Sequence, residues 1–276
     1  IAGEEIADAV AVVRRLNADG VMATLDVLGE DITRRDEAES SKVFIMDVLD
    51  TILREKLDSN VSVKLTQLGL KLDRDFCLSL MKDIAGKARD LGNFIRIDME
   101  DSSVTGDTIT VYRKLREHYP NVGIVLQAYL RRTAADSEAL VREGLGNLRL
   151  CKGIYIEPEE IAFKVKSEIN FHFLKTLEQM IRDGAYVGIA THDSELVEGA
   201  YRLISRYGLR KDRYEFQMLL GVRPELRSEI LRAGHRVRVY VPFGKQWYRY
   251  SIRRFKENPQ IAGNVLKALF SRHRFN

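Results

Sequence analysis

The chain has 276 residues, of which 45% are hydrophobic and 30% charged, the composition of a globular protein able to bury a core. The net charge of +4, from 44 basic and 40 acidic residues, is too balanced for a nucleic-acid binder. Two cysteines, Cys77 and Cys151, lie far apart and form no CxxC pair, which favours a reducing compartment without a disulfide framework.

The chain opens with a segment of helical pattern at 4–17, and eight short stretches rich in β-branched residues follow. These predicted strands lie at 21–27, 61–68, 93–99, 122–129, 147–155, 185–191, 214–220 and 236–243. Segments with helical spacing separate them. One is 75–92, which places Leu80, Ile84 and Ala88 on the same face as Phe76.

This alternation of strand and helix predicts parallel βα units. Eight units of roughly 30 residues match the size of a (β/α)8 barrel, and the sequence contains no linker, so we expect a single domain over residues 1–276. A doubly wound open sheet is the structural alternative. Its nucleotide-binding loop, GxGxxG, is absent after the first predicted strand.

The strands alternate sharply between apolar and polar side chains, and successive side chains of a strand point to opposite faces. The apolar parity should face the helices. The other parity, which would line the barrel lumen, carries Thr24, Asp26, Ser62, Lys64, Thr66, Arg96, Asp98, Gln127, Arg149, Glu215, Gln217, Arg238 and Tyr240. Most barrels fill the lumen with branched apolar side chains.

Buried charges are costly unless they are paired. In the lower part of the lumen we therefore expect a salt-bridge network, such as Arg96 or Arg238 with Glu215. The polar groups nearest the carboxyl ends of the strands fit a structural network less well, because that end is where barrel enzymes bind ligands. We expect these groups to form a site.

After the last strand, the sequence predicts a C-terminal helix carrying Tyr250 and the adjacent pair Arg253 and Arg254. Consecutive helical residues point about 100° apart, so both arginines can reach one anion only if the helix lies over the barrel mouth. We expect that placement, with Glu257 bracing either guanidinium. The alternative is two solvated arginines with a helical ion pair.

Several kinds of catalytic site are unsupported by the sequence. It contains no HExxH zinc motif, no GxSxG nucleophile elbow and no P-loop. A lysine in the lumen, Lys64, could serve a Schiff-base lyase. A catalytically silent barrel that acts as a binding protein is a further alternative.

Between about residues 20 and 260 the chain resembles the proline dehydrogenase family, flavoenzymes that oxidise L-proline to Δ1-pyrroline-5-carboxylate. The matching motifs are VSVKLT (61–66), IRIDMEDS (95–102), VLQAYLRRT (125–133), LRLCKGIYIEP (148–158), ATHD (190–193), YEFQMLLGV (214–222) and RVYVPFG followed by YSIRRFKE. The family fold is a distorted (β/α)8 barrel. Where the family commonly reads KGAY, this chain has Ile154 in place of alanine.

The resemblance implies flavin adenine dinucleotide (FAD), bound without covalent attachment at the carboxyl ends of the strands. Arg149 would approach flavin N5 and Gln127 the flavin ring. The residues implied in cofactor binding are Met99, Gln127, Arg149, Lys152, Gly153, Ile154, Thr191 and His192.

For the substrate, the resemblance implies that Lys64, Arg253 and Arg254 bind the proline carboxylate. Asp98 would orient the basic groups. Around the pyrrolidine ring would lie Tyr155, Leu219, Tyr240 and Tyr250. Hydroxyproline is the alternative substrate, and we favour proline because Tyr240 would leave little room for a 4-hydroxyl group.

The family commonly passes its electrons to a membrane quinone, and some members are joined to a Δ1-pyrroline-5-carboxylate dehydrogenase. Residues 235–276 contain ten Lys or Arg and one acid, which gives +9, whereas the first 234 residues sum to 34 − 39 = −5. This basic end suits an anionic ligand or an anionic membrane surface. We expect a cytoplasmic protein with peripheral association at the inner face of the membrane.

Overall fold

The computed structural model describes residues 1–29 and 32–247, and within them eight parallel strands close into one barrel in sequence order. The strands are β1 Met22–Val27, β2 Ser59–Val63, β3 Ile95–Ile97, β4 Val122–Gln127, β5 Asn147–Cys151, β6 Tyr186–Ala190, β7 Tyr214–Leu219 and β8 Val237–Phe243. Because β1 pairs with both β2 and β8, the barrel prediction is confirmed and the open sheet is wrong.

Helices lie between the strands as predicted. They are α1 Ile6–Ala18, α2 Arg35–Arg54, α3 Arg74–Asp90, α4 Ser102–Arg116, α5 Thr133–Arg142, α6 Lys166–Arg182, α7 Ser194–Arg206 and α8 Pro224–Arg232. On α3, the predicted core residues Leu80, Ile84 and Ala88 are buried, and Phe76 packs against them partly buried.

The first helix, α1, packs against both β1 and β8. Its buried side chains Val10, Val13 and Leu16 join the main apolar core. The outer surface between the last and first strands is therefore covered by the start of the chain. The segment that follows β8 is not needed to cover it.

Several strands are shorter than predicted at their carboxyl ends. The predicted strand 61–68 stops at Val63, and 66–68 form a short 3-10 turn instead. Leu65 just before this turn and Leu68 within it are still fully buried. These two leucines pack beneath the loop and do not extend the strand. The pairing of β2 with β1 ends at Ser62, and its pairing with β3 ends at Val63. Lys64 consequently sits just beyond the end of β2.

The predicted alternation of faces is confirmed. Val61 and Val63 on the outward parity of β2 are buried in the core between strands and helices. Polar side chains of the other parity are also buried, and they contact each other across the lumen. Arg238 and Glu215 form the expected lower ion pair at 2.7 Å. Arg96 instead donates to main-chain and amide oxygens.

Two glycines make room for the large polar side chains in the lumen. A Cβ atom on Gly123 of β4 would lie 2.4 Å from Nη1 of Arg96, and one on Gly188 of β6 would lie 2.6 Å from Nε2 of Gln217. Both contacts are far below van der Waals distance, so any larger residue would displace the polar group. The lumen therefore depends on small residues placed opposite long ones.

Candidate active site

Four polar side chains converge at the carboxyl end of the lumen, each from a different strand or strand end. They are Lys64 after β2, Asp98 after β3, Arg149 on β5 and Tyr240 on β8. Lys64, Asp98 and Arg149 are at most 9% exposed, and Tyr240 is partly buried. The barrel register brings together residues that are up to 176 positions apart in sequence.

Lys64 is held by side chains on both sides. Its Nζ donates to Oδ1 of Asp26 at 2.7 Å and to the hydroxyl of Tyr240 at 3.2 Å, and it lies 3.7 Å from Oδ2 of Asp98. The Tyr240 hydroxyl in turn donates to Oδ2 of Asp98 at 2.7 Å. These two hydrogen bonds to the hydroxyl hold the Tyr240 side chain in place beside Lys64 and Asp98.

Arg149 is anchored along its whole guanidinium. Nη1 donates to Oδ1 of Asp98 at 2.8 Å, Nε to the side-chain oxygen of Gln217, and Nη2 to Oγ of Ser62 at 3.3 Å. Gln217 is itself oriented, because its amide donates to Oε1 of Glu215 at 2.6 Å. A continuous hydrogen-bonded path therefore links Arg149 at the mouth to the lower ion pair.

The upper cluster contains two cations, Lys64 and Arg149, and two carboxylates, Asp26 and Asp98. Burial raises the pKa of Asp26, and the charge of Lys64 opposes that rise. With both carboxylates ionised, these four groups balance each other. An anion entering beside Lys64 would need a further cation or a proton to keep this buried cluster neutral.

The opposite side of the mouth is organised by His192, which follows β6. Its Nε2 accepts the backbone N–H of Leu219 at 2.7 Å. Burial, together with the charge of Arg223, lowers the pKa of His192 to about 4. The imidazole is therefore neutral near pH 7, and its proton lies on Nδ1, which makes Nδ1 a hydrogen-bond donor.

Lys152, just after β5, pairs with Asp193 at 2.6 Å. Asp193 also begins α7 by accepting the N–H of Glu195, and Oγ of Thr191 accepts the N–H of Asp193. Burial would raise the pKa of Asp193, but Lys152 outweighs it and the pKa falls to about 2. Asp193 therefore both caps α7 and pairs with a cation close to the carboxyl end of β5.

The turn after β5 brings Gly153 against the ring of Tyr129. Gly153 has φ +107°, and a Cβ there would lie 2.0 Å from that ring. Only glycine fits, for both conformational and steric reasons. Close by, the Gln127 amide donates to the backbone oxygen of Glu100 at 2.9 Å, which fixes its orientation at the end of β4.

The remaining predicted site residues divide into three groups. Ile154, Tyr155 and Leu219 are partly buried at the carboxyl ends of the strands. Met99 is 6% exposed and belongs to the main apolar core. The predicted C-terminal helix, with Tyr250, Arg253, Arg254 and Glu257, lies outside the described residues.

Two side chains that were not predicted as site residues, Asp26 and Gln217, join the same cluster in the structure. Asp26 contacts Lys64 directly, and Gln217 contacts Arg149. Both lie on the lumen-facing parity of their strands, so the strand alternation carried the signal. Each buried cation in the lumen requires a partner, and Asp26 and Gln217 are polar side chains that also face the lumen.

Eight parallel strands closed into one barrel define the (β/α)8 class, and a cluster of buried charges lies at the carboxyl ends of the strands, where barrel enzymes bind their ligands. A family model described as proline dehydrogenase matches residues 9–267. The chain therefore belongs to the proline dehydrogenase family, as its motifs indicated.

Individual relatives agree with this assignment. The chain is 36% identical over 272 residues to proline dehydrogenase 1 of Bacillus subtilis (strain 168), which covers 99% of this chain and 90% of that protein. It is 33% identical over 274 residues to the proline dehydrogenase of Deinococcus radiodurans, covering 98% and 88%.

Among solved structures, proline utilization A (PutA) from Bdellovibrio bacteriovorus inactivated by N-propargylglycine aligns with a TM-score of 0.86. The alignment covers 92% of this chain and 32% of that chain at 24% identity, so the likeness concerns the fold.

Proposed function

We propose that this chain oxidises L-proline to Δ1-pyrroline-5-carboxylate with FAD as its non-covalently bound cofactor. Membership of the family supports the reaction. The observation that carries it is the buried constellation of Lys64, Asp98, Arg149 and Tyr240 at the carboxyl ends of the strands. When bound, FAD would accept the hydride that leaves the ring carbon beside the proline nitrogen.

The residues at the mouth fit such a cofactor. FAD carries phosphates and ring carbonyl oxygens that accept hydrogen bonds, and the mouth offers donors of matching type. Arg149 and Lys152 are cationic, and His192 presents a neutral Nδ1–H. Gly153 lets the turn after β5 pack against Tyr129, because a side chain there would strike that ring.

Lys64 and Tyr240 fit the proline end of the site. A single ammonium on the lumen face can bind a carboxylate, and the ring of Tyr240 can pack against the pyrrolidine ring. Because the upper cluster is already neutral, we propose that Arg253 and Arg254 supply the extra positive charge. The first helix, α1, already covers the outer surface between β8 and β1. This supports a position over the barrel mouth for the segment that follows β8.

A carboxylate held from several directions cannot rotate freely, so the ring carbon is presented in one orientation. The proline nitrogen must be neutral when the hydride leaves, and we therefore expect the rate to rise with pH. A cationic Arg149, fixed by three side chains, favours negative charge developing near it.

The Schiff-base alternative is disfavoured by the surroundings of Lys64. An amine nucleophile must be neutral, whereas two carboxylates lie at 2.7 and 3.7 Å from Nζ and stabilise the ammonium. No comparable observation supports a silent binding protein.

We further propose that electrons pass to a membrane quinone and that the product passes to a Δ1-pyrroline-5-carboxylate dehydrogenase. The basic C-terminal end supports a membrane encounter, because anionic lipid attracts Lys and Arg. No helix in the described part of the chain is long and apolar enough to cross a membrane. Binding to anionic vesicles should weaken with salt, and equal binding to neutral vesicles would contradict the proposal.

The decisive experiment is a visible spectrum of the purified protein followed by an anaerobic proline titration. We expect flavin absorption that bleaches stoichiometrically with proline and less readily with 4-hydroxyproline. A colourless protein that borohydride traps on a carbonyl substrate would overturn the proposal in favour of the lyase. Bleaching by hydroxyproline in preference to proline would correct the substrate.

A further inference from the structure

A cavity of about 470 Å³ opens at the amino-terminal end of the barrel, at the opposite end from the active site. Its wall combines residues 57–60 and 91–94 with lumen-facing side chains from the starts of the other strands. The polar side chains from the starts of the strands are Arg96, Asn147, Tyr186, Glu215 and Arg238. Its size is within the range of small-molecule sites, roughly 300–1,000 Å³.

Arg96 is the unusual member of this wall. It is 2% exposed, and its guanidinium donates only to uncharged oxygens: Ile124 O at 3.2 Å, Asn147 O at 2.9 Å and Asn147 Oδ1 at 2.7 Å. Its buried Nε has no hydrogen-bond partner among the described residues. Burial lowers the pKa of Arg96 to about 10, so the group is still charged near pH 7.

The nearby carboxylate is already committed elsewhere. Glu215 accepts Nε of Arg238 at 2.7 Å and Nη2 at 3.2 Å, which is a bidentate pair. Although burial acts against it, the charge of Arg238 lowers the pKa of Glu215 to about 2. The inner end therefore holds two buried cations and one buried carboxylate. On the rim, Lys56 and Asp58 offset each other, so an excess positive charge remains.

The rest of the wall is mixed, with apolar side chains beside the polar residues Ser59, Asn60 and Asn93. Leu57, Leu91 and Phe94 line it together with the end of α2, and the ring of Phe94 lies 5.0 Å from the Arg96 guanidinium. An inorganic anion would satisfy the charge and leave this surface exposed to water. A carboxylate with a compact apolar body would satisfy both.

We propose that the amino-terminal cavity binds a small monocarboxylate, with its charge toward Arg96 and its apolar body against Leu57, Leu91 and Phe94. Occupancy would neutralise a buried cation and stabilise the folded chain in proportion to ligand concentration. This site is separate from the active site and does not depend on the function proposed above.

Calorimetric titration of the holoenzyme with butyrate and benzoate, at constant ionic strength, tests the proposal. Because these ions can also bind at the active site, the titration is repeated in Lys64→Met. We expect binding that survives Lys64→Met, is at least tenfold weaker in Arg96→Gln, and raises the melting temperature. Inorganic phosphate should bind at least tenfold more weakly than benzoate.

Arg96→Gln could fail to fold, so a rim variant provides a second test. Leu91 is partly exposed on the cavity wall, and Leu91→Asp places a negative charge there while keeping Arg96. We expect at least tenfold weaker carboxylate binding. The matched control is Arg113→Gln, which removes a surface arginine paired with Glu143 and should leave binding unchanged.

Three results would overturn the proposal. They are no carboxylate binding in Lys64→Met, equal binding in Lys64→Met with and without Leu91→Asp, and phosphate binding as tight as benzoate binding. The last would mean that the cavity attracts anions without recognising the apolar body.

Discussion

The two ends of the barrel lumen contain the same kinds of residue and hold them in different ways. At the lower end, each guanidinium group donates to a main-chain oxygen as well as to a side chain: Arg96 to Asn147 O and Oδ1, and Arg238 to Ala23 O and the Glu215 carboxylate. At the upper end, Lys64 and Arg149 donate to side chains. Main-chain oxygens belong to the strand ladder and cannot move, whereas side chains can change partner by rotating.

This difference separates structural charge from functional charge. A cation held by backbone is part of the fold, and removing its partner should cost stability. A cation held by side chains can exchange one of those side chains for a ligand, and removing the cation should weaken ligand binding. The same residue types thus predict different losses at the two ends.

The largest effect is expected at the lower end. Glu215→Gln leaves Arg238 buried without a counter-charge, and breaking a buried pair in this way costs about 3–5 kcal/mol of unfolding free energy. Urea denaturation measures it. The matched control, Glu215→Met with Arg238→Met, removes both charges and should recover much of the loss. A loss below about 1 kcal/mol in the single variant would show that Arg238 is not held by this pair.

The next effect concerns the upper end. Lys64→Met should weaken proline binding on the order of 10²-fold, because it removes a desolvated charge partner of the carboxylate. Flavin content should stay normal, since the role proposed for Lys64 is to bind the substrate carboxylate and not the cofactor. A spectrum and a proline titration of the same preparation measure both. Lys87→Met, which loses only a surface pair with Asp50, is the control. Wild-type proline affinity in Lys64→Met would return Lys64 to a structural role.

A third prediction uses pH. The pKa of His192 is about 4 in the folded chain and about 6.5 unfolded, so the unfolded state binds more protons between these values. Stability should therefore fall as pH drops from 6.5 to 4, by about 3 kcal/mol in total from this group. His192→Gln should flatten that part of the profile.

The lower end has its own pH window. The pKa of Glu215 is about 2 when folded and about 4.5 unfolded, so its contribution is present above 4.5 and lost as pH falls toward 2. Subtracting the variant profile from the wild-type profile isolates each group from the other titrating residues. If His192→Gln changed stability equally at pH 4 and pH 7, the imidazole would not titrate as inferred.

The smallest effect is expected where an upper-end charge approaches solvent. Asp193→Asn keeps an acceptor for the start of α7 and loses the charge paired with Lys152, so we expect less than about 1 kcal/mol. Asp193→Ala also loses the cap and should cost about 1 kcal/mol more. Thermal melting of both variants measures the difference. Equal losses would mean that the ion pair, and not the cap, carries the effect.

Much of this comparison was accessible from the sequence, because strand alternation is a local property. Each lumen-facing residue could be assigned from the parity of its strand, and the Arg238–Glu215 pair was among the alternatives considered. The other alternative, Arg96 with Glu215, failed for a reason that no local pattern contains. Gly123 on a neighbouring strand leaves space that lets Arg96 reach backbone oxygens instead.

The upper cluster shows the same limit. Lys64, Asp98 and Arg149 were predicted as site residues, whereas Asp26 and Gln217 were recognised only as facing the lumen. The contacts between lumen residues depend on the stagger of the strands around the closed barrel. That stagger depends on where each strand begins and ends as well as on its sequence. The early end of β2 at Val63 is one such case.

The sequence by itself determined the barrel, the faces of its strands and the family, because these depend on periodicity and on short ordered motifs. Only the tertiary structure decided which charges neutralise each other, that His192 is a neutral donor, and that Arg96 is left without a carboxylate beside a cavity. The physical reason is that pairing and burial are set by distances across the lumen. These arise when eight separate strands close on one another, and no single segment specifies them.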